Sequence, residues 1–192
     1  VSGLLNLKKL VCTNQSLTNL DVSNLTNLVE LDCSNNQITS LNLVGLPNLQ
    51  ILNYFKNELA TLNLINLPSL LTLNCGHNQL ITLNVINLTS LKRLDCSQNN
   101  LTTLNLTGLS ALEFLTFSNN QISISNISGL STNLKGLYCD NNELTSLNVS
   151  NLTNLETLYC RNNHLTSIDL STLNYLKNLY MAENQLTIIN VS

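Results

Sequence analysis

Residues 155 to 170 read Leu155-Glu156-Thr157-Leu158-Tyr159-Cys160-Arg161-Asn162-Asn163-His164-Leu165-Thr166-Ser167-Ile168-Asp169-Leu170. The apolar residues alternate from Leu158 to Cys160 with the period of a β-strand, and apolar residues return after Asn163. A segment of this kind cannot bury its own leucines, because it has no opposing layer of structure. It therefore predicts stacking against further segments of the same kind.

The same unit recurs along the whole chain, and in one-letter form it reads LxxLxCxxNxLxxLNLxxLxx. The period is 21 residues, except that the sixth repeat has 22, with the extra residue near position 132. We number positions within a repeat from its first leucine. The nine repeats begin at Leu7, Leu28, Leu49, Leu70, Leu91, Leu112, Leu134, Leu155 and Leu176. Strands about 4.8 Å apart would make a stack roughly 40 Å long.

The composition agrees with a repeat and excludes several classes of protein. Leucine and asparagine together supply 81 of the 192 residues, and only 10% of the residues are charged. A chain so rich in apolar residues is unlike a disordered segment, and a net charge of −3 argues against binding to nucleic acid. No apolar run reaches the roughly 18 residues needed to cross a bilayer, so we expect no membrane insertion.

This unit resembles the repeat of bacterial leucine-rich repeat proteins, whose hallmark is LxxLxLxxNxL. Its second half, LxxLNL, echoes the first half at an offset of ten residues, which resembles the nested 21-residue class called IRREKO. The sixth repeat, over residues 120–130, is more similar to the 22-residue internalin type. The resemblance covers the whole chain, and nine copies make a chance match implausible.

The resemblance implies a leucine-rich repeat solenoid of about nine rungs, with a parallel β-sheet on the concave face. The back of each rung is expected to be β or irregular with little or no helix, and LxxLNL could form a second strand. We expect residues 1–192 to form a single array, uncapped at both ends and part of a longer protein. Flanking domains, or end-to-end self-association, would then cover the ends.

Two columns of the repeat are predicted to be structural. An asparagine recurs at position 9, where its amide can satisfy backbone groups that leave the sheet. All six cysteines lie at position 6, which Tyr54, Phe117 and Met181 occupy in the other repeats. A column that accepts all four residue types indicates buried free thiols rather than disulfides or a metal site.

The candidate binding residues lie on the strand segment, where 15 of the 19 charged residues fall at positions 2 to 8. At position 5 the last three repeats carry tyrosine, which predicts an exposed aromatic strip. Stacking between strands that merely stabilises the sheet is an equal alternative. The candidate site residues are Tyr138, Tyr159, Tyr180 and Phe114, with Arg93, Asp95 and Arg161 as polar contacts.

The sequence favours a non-enzymatic interaction module of a bacterial secreted or cell-surface protein, of the adhesion type. The resemblance implies that a protein or glycan docks on the concave face. His77 and His164 lie four rungs apart, so we expect no shared metal, and we also expect no catalytic site and no cofactor. Two alternatives stay open: a structural spacer or stalk, and ice or crystal-surface binding through the rows of Thr and Asn.

Overall fold

The structure is a computed structural model that describes residues 3–126 and 132–192, without the side chains of 124–126. Each repeat forms one turn, or rung, of a solenoid. Nine three-residue strands, one from each rung, pair in parallel into a single sheet. These strands are β1 Lys9–Val11, β2 Glu30–Asp32, β3 Ile51–Asn53, β4 Thr72–Asn74, β5 Arg93–Asp95, β7 Phe114–Thr116, β9 Gly136–Tyr138, β10 Thr157–Tyr159 and β12 Asn178–Tyr180. The predicted solenoid fold is confirmed.

The back of the solenoid contains the second strands that the LxxLNL segment suggested, but only in part. Strand β6, Thr103–Asn105, pairs with β8, Ile124–Asn126, and β11, Ser167–Asp169, pairs with β13, Ile188–Asn190. Within the described ranges no segment is helical, and none could cross a membrane as a helix. The internalin-like feature expected in the sixth repeat includes residues 127–131, which lie outside the described residues.

The core is a continuous column of leucines between the sheet and the back. The middle residue of most strands is a leucine that points inward, as Leu94, Leu115, Leu137 and Leu158 do. Because side chains alternate along a strand, positions 3 and 5 must then face outward. We call this outward side of the nine-stranded sheet the strand face.

The asparagine column forms the predicted ladder, and Asn99 is representative. Its amide nitrogen donates to the carbonyls of Cys75, Cys96 and Ser97 at 3.0–3.1 Å, and its oxygen accepts the Leu80 N–H at 2.9 Å. Asn99 is 7% exposed. One side chain thus satisfies backbone groups of two rungs where the chain leaves the sheet.

The residue before each ladder asparagine turns the chain away from the sheet. In all nine rungs this residue, at position 8, has a positive φ between 49° and 59°. Asparagine, which tolerates this region, stands there in five rungs, but Lys56, His77, Gln98 and Glu183 adopt it too. Position 8 therefore adopts the same left-handed turn whichever of these side chains it carries.

The cysteine column lies inside the solenoid as predicted. Five of the six cysteines are fully buried and Cys12 is half-buried, and all six are free thiols. Burial raises the pKa of Cys160 to about 12 and raises the pKa of Cys96 further. Since only the thiolate is reactive, these buried groups have little nucleophilic character at neutral pH.

Alkylation therefore provides a test of the cysteine column. Iodoacetamide at pH 8 is expected to modify at most Cys12 in the native protein, because a raised pKa keeps the other thiols protonated and burial excludes the reagent. After unfolding in urea all six thiols should react. Intact-mass measurement counts the adducts, and rapid native modification of several cysteines would contradict this packing.

Candidate binding surface

The three tyrosines predicted to form a strip lie side by side on the strand face. They occupy paired positions on β9, β10 and β12. The ring centroids of Tyr138 and Tyr159 are 5.1 Å apart, and those of Tyr159 and Tyr180 are 4.4 Å apart. The rings are tilted by 59° and 46°, so each contacts the next without a parallel stack.

Exposure along this row is graded. Tyr180 is 47% exposed, whereas Tyr138 and Tyr159 are half-buried. Partial desolvation raises the pKa of the Tyr159 phenol, and the adjacent Tyr180 contributes to the same shift. The strip is thus less exposed than the sequence suggested, because neighbouring rings cover part of each other. The tyrosine rings therefore contact one another and still expose part of their surface to solvent.

Phe114 joins this row through a glycine that the sequence analysis did not single out. Gly136 holds position 3 on β9, directly beside Phe114 on β7. A Cβ atom on Gly136 would lie 3.0 Å from Cδ1 of Phe114 and 3.1 Å from Cε2 of Tyr138. Both rings therefore occupy the space beside Gly136 that a side chain would fill. We call Phe114, Tyr138, Tyr159 and Tyr180 the aromatic strip.

Arg93 ends the aromatic strip on its N-terminal side. Its guanidinium carbon lies 4.1 Å from the centroid of the Phe114 ring. This is a cation–π contact, which favours a position of the guanidinium over the face of the ring. Arg93 and the aromatic strip form one continuous surface across rungs 5 to 9.

The structure separates the other two polar candidates from the centre of this surface. Asp95 lies two strands from Tyr138, and its carboxylate accepts the backbone N–H of Ser97 at 2.9 Å and the Ser97 hydroxyl at 2.6 Å. Its local role is thus to hold a turn. Arg161 lies beyond the strand end, where its guanidinium is 3.7 Å from Glu183.

A small polar recess surrounds Arg161. It has a volume of about 130 Å³ and is lined by Asp140, Asn141, Arg161, Asn162 and Glu183. The backbone N–H of Arg161 donates to Asp140 at 2.6 Å. Burial raises the pKa of Asp140, although this hydrogen bond and the arginine charge act in the opposite direction. The recess supplies paired polar groups at one border of the aromatic strip.

The opposite border is a ladder of alternating charge at position 2 of rungs 5 to 9. The Glu113 carboxylate lies 3.8 Å from Lys92 and 3.0 Å from Lys135, and Glu156 lies 2.8 Å from Lys177. The hydrogen bond from Lys135 lowers the pKa of Glu113. Three lysines alternate with two glutamates, so the paired charges leave a net charge of +1 in this column. The alternation of Lys and Glu at position 2 is visible in the sequence. The ion pairs themselves depend on the register of the paired strands, which places position 2 of each rung beside position 2 of the next.

The N-terminal half of the strand face is mostly polar, although it also exposes Val11 and Ile51. The amide of Asn53 donates to Asp32 at 3.0 Å, and Phe55 makes an edge contact with His77 at 5.8 Å between ring centroids. In the part of the chain that the structure describes, His, Cys, Asp and Glu side chains form no group of three that could hold a metal ion. The row of tyrosines that contact one another thus lies in the C-terminal half of the face.

The substitution Gly136→Thr tests whether the rings of Phe114 and Tyr138 pack closely against Gly136. Threonine already occupies position 3 in Thr72 and Thr157, but at position 136 its Cβ would meet both rings. Forced movement of packed rings should cost about 1 kcal/mol of folding free energy and change the tyrosine bands of the near-ultraviolet circular dichroism spectrum. Asn178→Thr, at position 3 of β12, is the control. A spectrum and a urea midpoint matching the parent would refute the close packing.

Comparison with known proteins identifies the repeat. Two leucine-rich repeat families match: Leucine Rich repeats (2 copies), at residues 132–175 and 153–191, and Leucine Rich Repeat, at residues 27–49 and 90–112. No curated protein matches the chain.

Solved structures share this fold. The functional domain of InlJ from Listeria monocytogenes, which includes a cysteine ladder, is 37% identical with a TM-score of 0.92 over 94% of this chain. This chain spans only 40% of that domain. An internalin, inlF, of Listeria monocytogenes shares the fold at 22% identity and TM-score 0.68, over 98% of this chain and 74% of its own.

A plant receptor supplies a further comparison. The ectodomain of the receptor kinase GASSHO1/SCHENGEN3 from Arabidopsis thaliana, in complex with CASPARIAN STRIP INTEGRITY FACTOR 2, is 27% identical with a TM-score of 0.75. The match covers 85% of this chain and 22% of the ectodomain. The nested 21-residue class suggested by the sequence stays a prediction.

Proposed function

Because the chain is a leucine-rich repeat array, we propose that it is a non-enzymatic recognition module that binds a protein partner through the aromatic strip. The observation that carries this proposal is a row of side chains in which Arg93 contacts Phe114, Phe114 and Tyr138 both lie beside Gly136, and the three tyrosines contact one another. Repeat arrays present such extended faces to partners. The structure in complex with CASPARIAN STRIP INTEGRITY FACTOR 2 supports a macromolecular partner by analogy.

The packing of the strip favours tight binding. Tyrosine and arginine are enriched among the residues that dominate binding energy, because they combine a large apolar area with a polar group. Contacts between the rings restrict them before a partner arrives, which lowers the entropy lost on binding. The charges beside the strip are mostly paired with one another and add little electrostatic attraction, so apolar contact supplies most of the affinity.

We further infer that the array serves a bacterial secreted or cell-surface protein of the adhesion type. The similarity to a Listeria monocytogenes domain at 37% identity supports this assignment. That domain is longer than this chain, which spans 40% of it, so the activity of the whole protein is part of the proposal. That flanking domains or other copies cover the ends of the array likewise stays a prediction.

The test compares a strip variant with a matched control. A random peptide library displayed on phage is selected on the wild-type protein. Selected peptides should bind the variant Y138S/Y159S/Y180S at least about 30-fold more weakly, as expected when hot-spot side chains are lost. Tyr175→Ser is the control, since Tyr175 is 63% exposed but lies outside the strip.

Three outcomes would contradict the proposal. Peptides that bind the triple variant as well as the wild type would move the site away from the strip. A protein that enriches no peptide would favour the spacer hypothesis. Strip-dependent binding to an array of neutral glycans, without any peptide binding, would replace protein by glycan as the partner. Circular dichroism and urea unfolding of each variant show that the fold is retained.

A further inference from the structure

A row of exposed apolar residues lies on the back of rungs 2 to 4. Position 17 of the repeat carries Val44, Ile65 and Ile86 in these rungs, and their exposed fractions are 63%, 65% and 48%. The same position is polar elsewhere in the described residues: Ser23, Thr107, Ser150, Ser171 and Ser192. The fold therefore does not require an apolar residue there, and three consecutive departures call for another explanation.

Two of these residues, Ile65 and Ile86, line a groove of about 690 Å³, which we call the back groove. It is lined by residues 61–68 of rung 3, by residues of rung 4 including Ile86, and by Pro47. The two prolines of the chain, Pro47 and Pro68, both line it. Residues 61–64 form no strand, whereas the backs of rungs 4 and 5 are joined through Asn84 and Asn105. The groove thus coincides with a gap in the pairing of the back.

The lining defines the chemistry of an occupant. None of the lining residues is charged, and the apolar groups include Ile65, Ile86 and partly buried Leu62. The side-chain oxygens of Asn63 and Asn84 already accept the N–H groups of Ile65 and Ile86, at 3.0 and 3.1 Å. The amide NH₂ groups remain as donors, so the groove suits an uncharged apolar molecule that carries hydrogen-bond acceptors.

The size of the feature favours a small molecule over a second protein. Its volume lies within the roughly 300–1,000 Å³ typical of small-molecule sites. The exposed apolar row spans only two rung spacings, about 10 Å. A row of this length is too short to provide the roughly 1,200 Å² or more that a stable protein interface buries in total. We propose that the back groove binds a small neutral lipid-like molecule, an acyl or alkyl chain with an ester or hydroxyl head.

The groove can be tested on the whole chain with the uncharged dye Nile red, whose fluorescence rises in apolar surroundings. Wild-type protein should bind one dye molecule saturably, and I65S/I86S should bind it at least tenfold more weakly. Serine at these positions repeats the residue of rungs 1, 7, 8 and 9, so the variant should fold, as circular dichroism would verify. Tyr175→Ser, which removes an exposed ring outside both the aromatic strip and the back groove, is the control and should bind as the wild type does.

Competition identifies the head group. Glycerol monododecanoate, below its micelle concentration, should displace the dye at least tenfold more effectively than the dodecanoate ion, because the groove has no charged partner for a carboxylate. Absence of saturable dye binding, or binding by I65S/I86S within twofold of the wild type, would overturn the proposal. So would loss of binding in Tyr175→Ser, or equal displacement by the two competitors.

Discussion

Replacement of Asn99 by alanine should destabilise the solenoid by about 3 kcal/mol, because it removes four hydrogen bonds and leaves one buried donor without a partner. The carbonyl of Cys75 keeps a bond from Asn78, and that of Cys96 keeps a bond from Asn120. The Leu80 N–H has no such substitute, since it donates to Asn99 alone. Most of the cost should come from this orphaned group and from the space left by the amide.

Urea unfolding followed by circular dichroism measures this loss. The control is Asn100→Ala, which removes an exposed asparagine one residue away and should change the unfolding free energy by less than about 0.5 kcal/mol. Equal stabilities for the two variants would mean that the ladder contributes little to the fold.

Phe117→Ala should have an effect of similar size, about 4 kcal/mol, through packing rather than hydrogen bonding. Phe117 is fully buried in the column that cysteine fills in the two flanking rungs, at Cys96 and Cys139. Truncation would leave a cavity that the rigid stack of rungs cannot close. The same urea titration measures the loss.

Phe114→Ala provides the matched control, since Phe114 lies three residues earlier on the strand face and is only half-buried. Its truncation removes the contact with Arg93 and should cost about 1 kcal/mol. A larger loss from position 114 than from position 117 would contradict the assignment of inner and outer faces.

The sequence alone predicts the solenoid because every rung repeats the same apolar pattern. Leu137 and Leu158 recur at a fixed spacing, so one correct rung fixes the sheet and the core together. The ladder role of residues such as Asn99 follows in the same way, from an amide at the end of a strand. The aromatic strip is also predictable, since paired rungs place Tyr138, Tyr159 and Tyr180 in one row.

The features that cannot be predicted from the sequence arise from contacts between residues at different positions of the repeat. The role of Gly136 requires that Phe114 and Tyr138 lean toward the same point from neighbouring strands. The back groove depends on the path of rung 3, where the second segment is unpaired. The left-handed turn at position 8 could be anticipated from its asparagines, but His77 and Glu183 in the same conformation could not.

Nitration of tyrosine by tetranitromethane, with and without a selected peptide bound, tests the central claim that the aromatic strip is the recognition surface. Tyr180 and Tyr175 are both exposed, at 47% and 63%, but only Tyr180 belongs to the strip. Fully buried Tyr54 should stay unmodified in either state. The proposal predicts that the bound peptide slows nitration of Tyr180 at least tenfold and leaves Tyr175 unchanged. Equal nitration of Tyr180 in the free and bound states would contradict it.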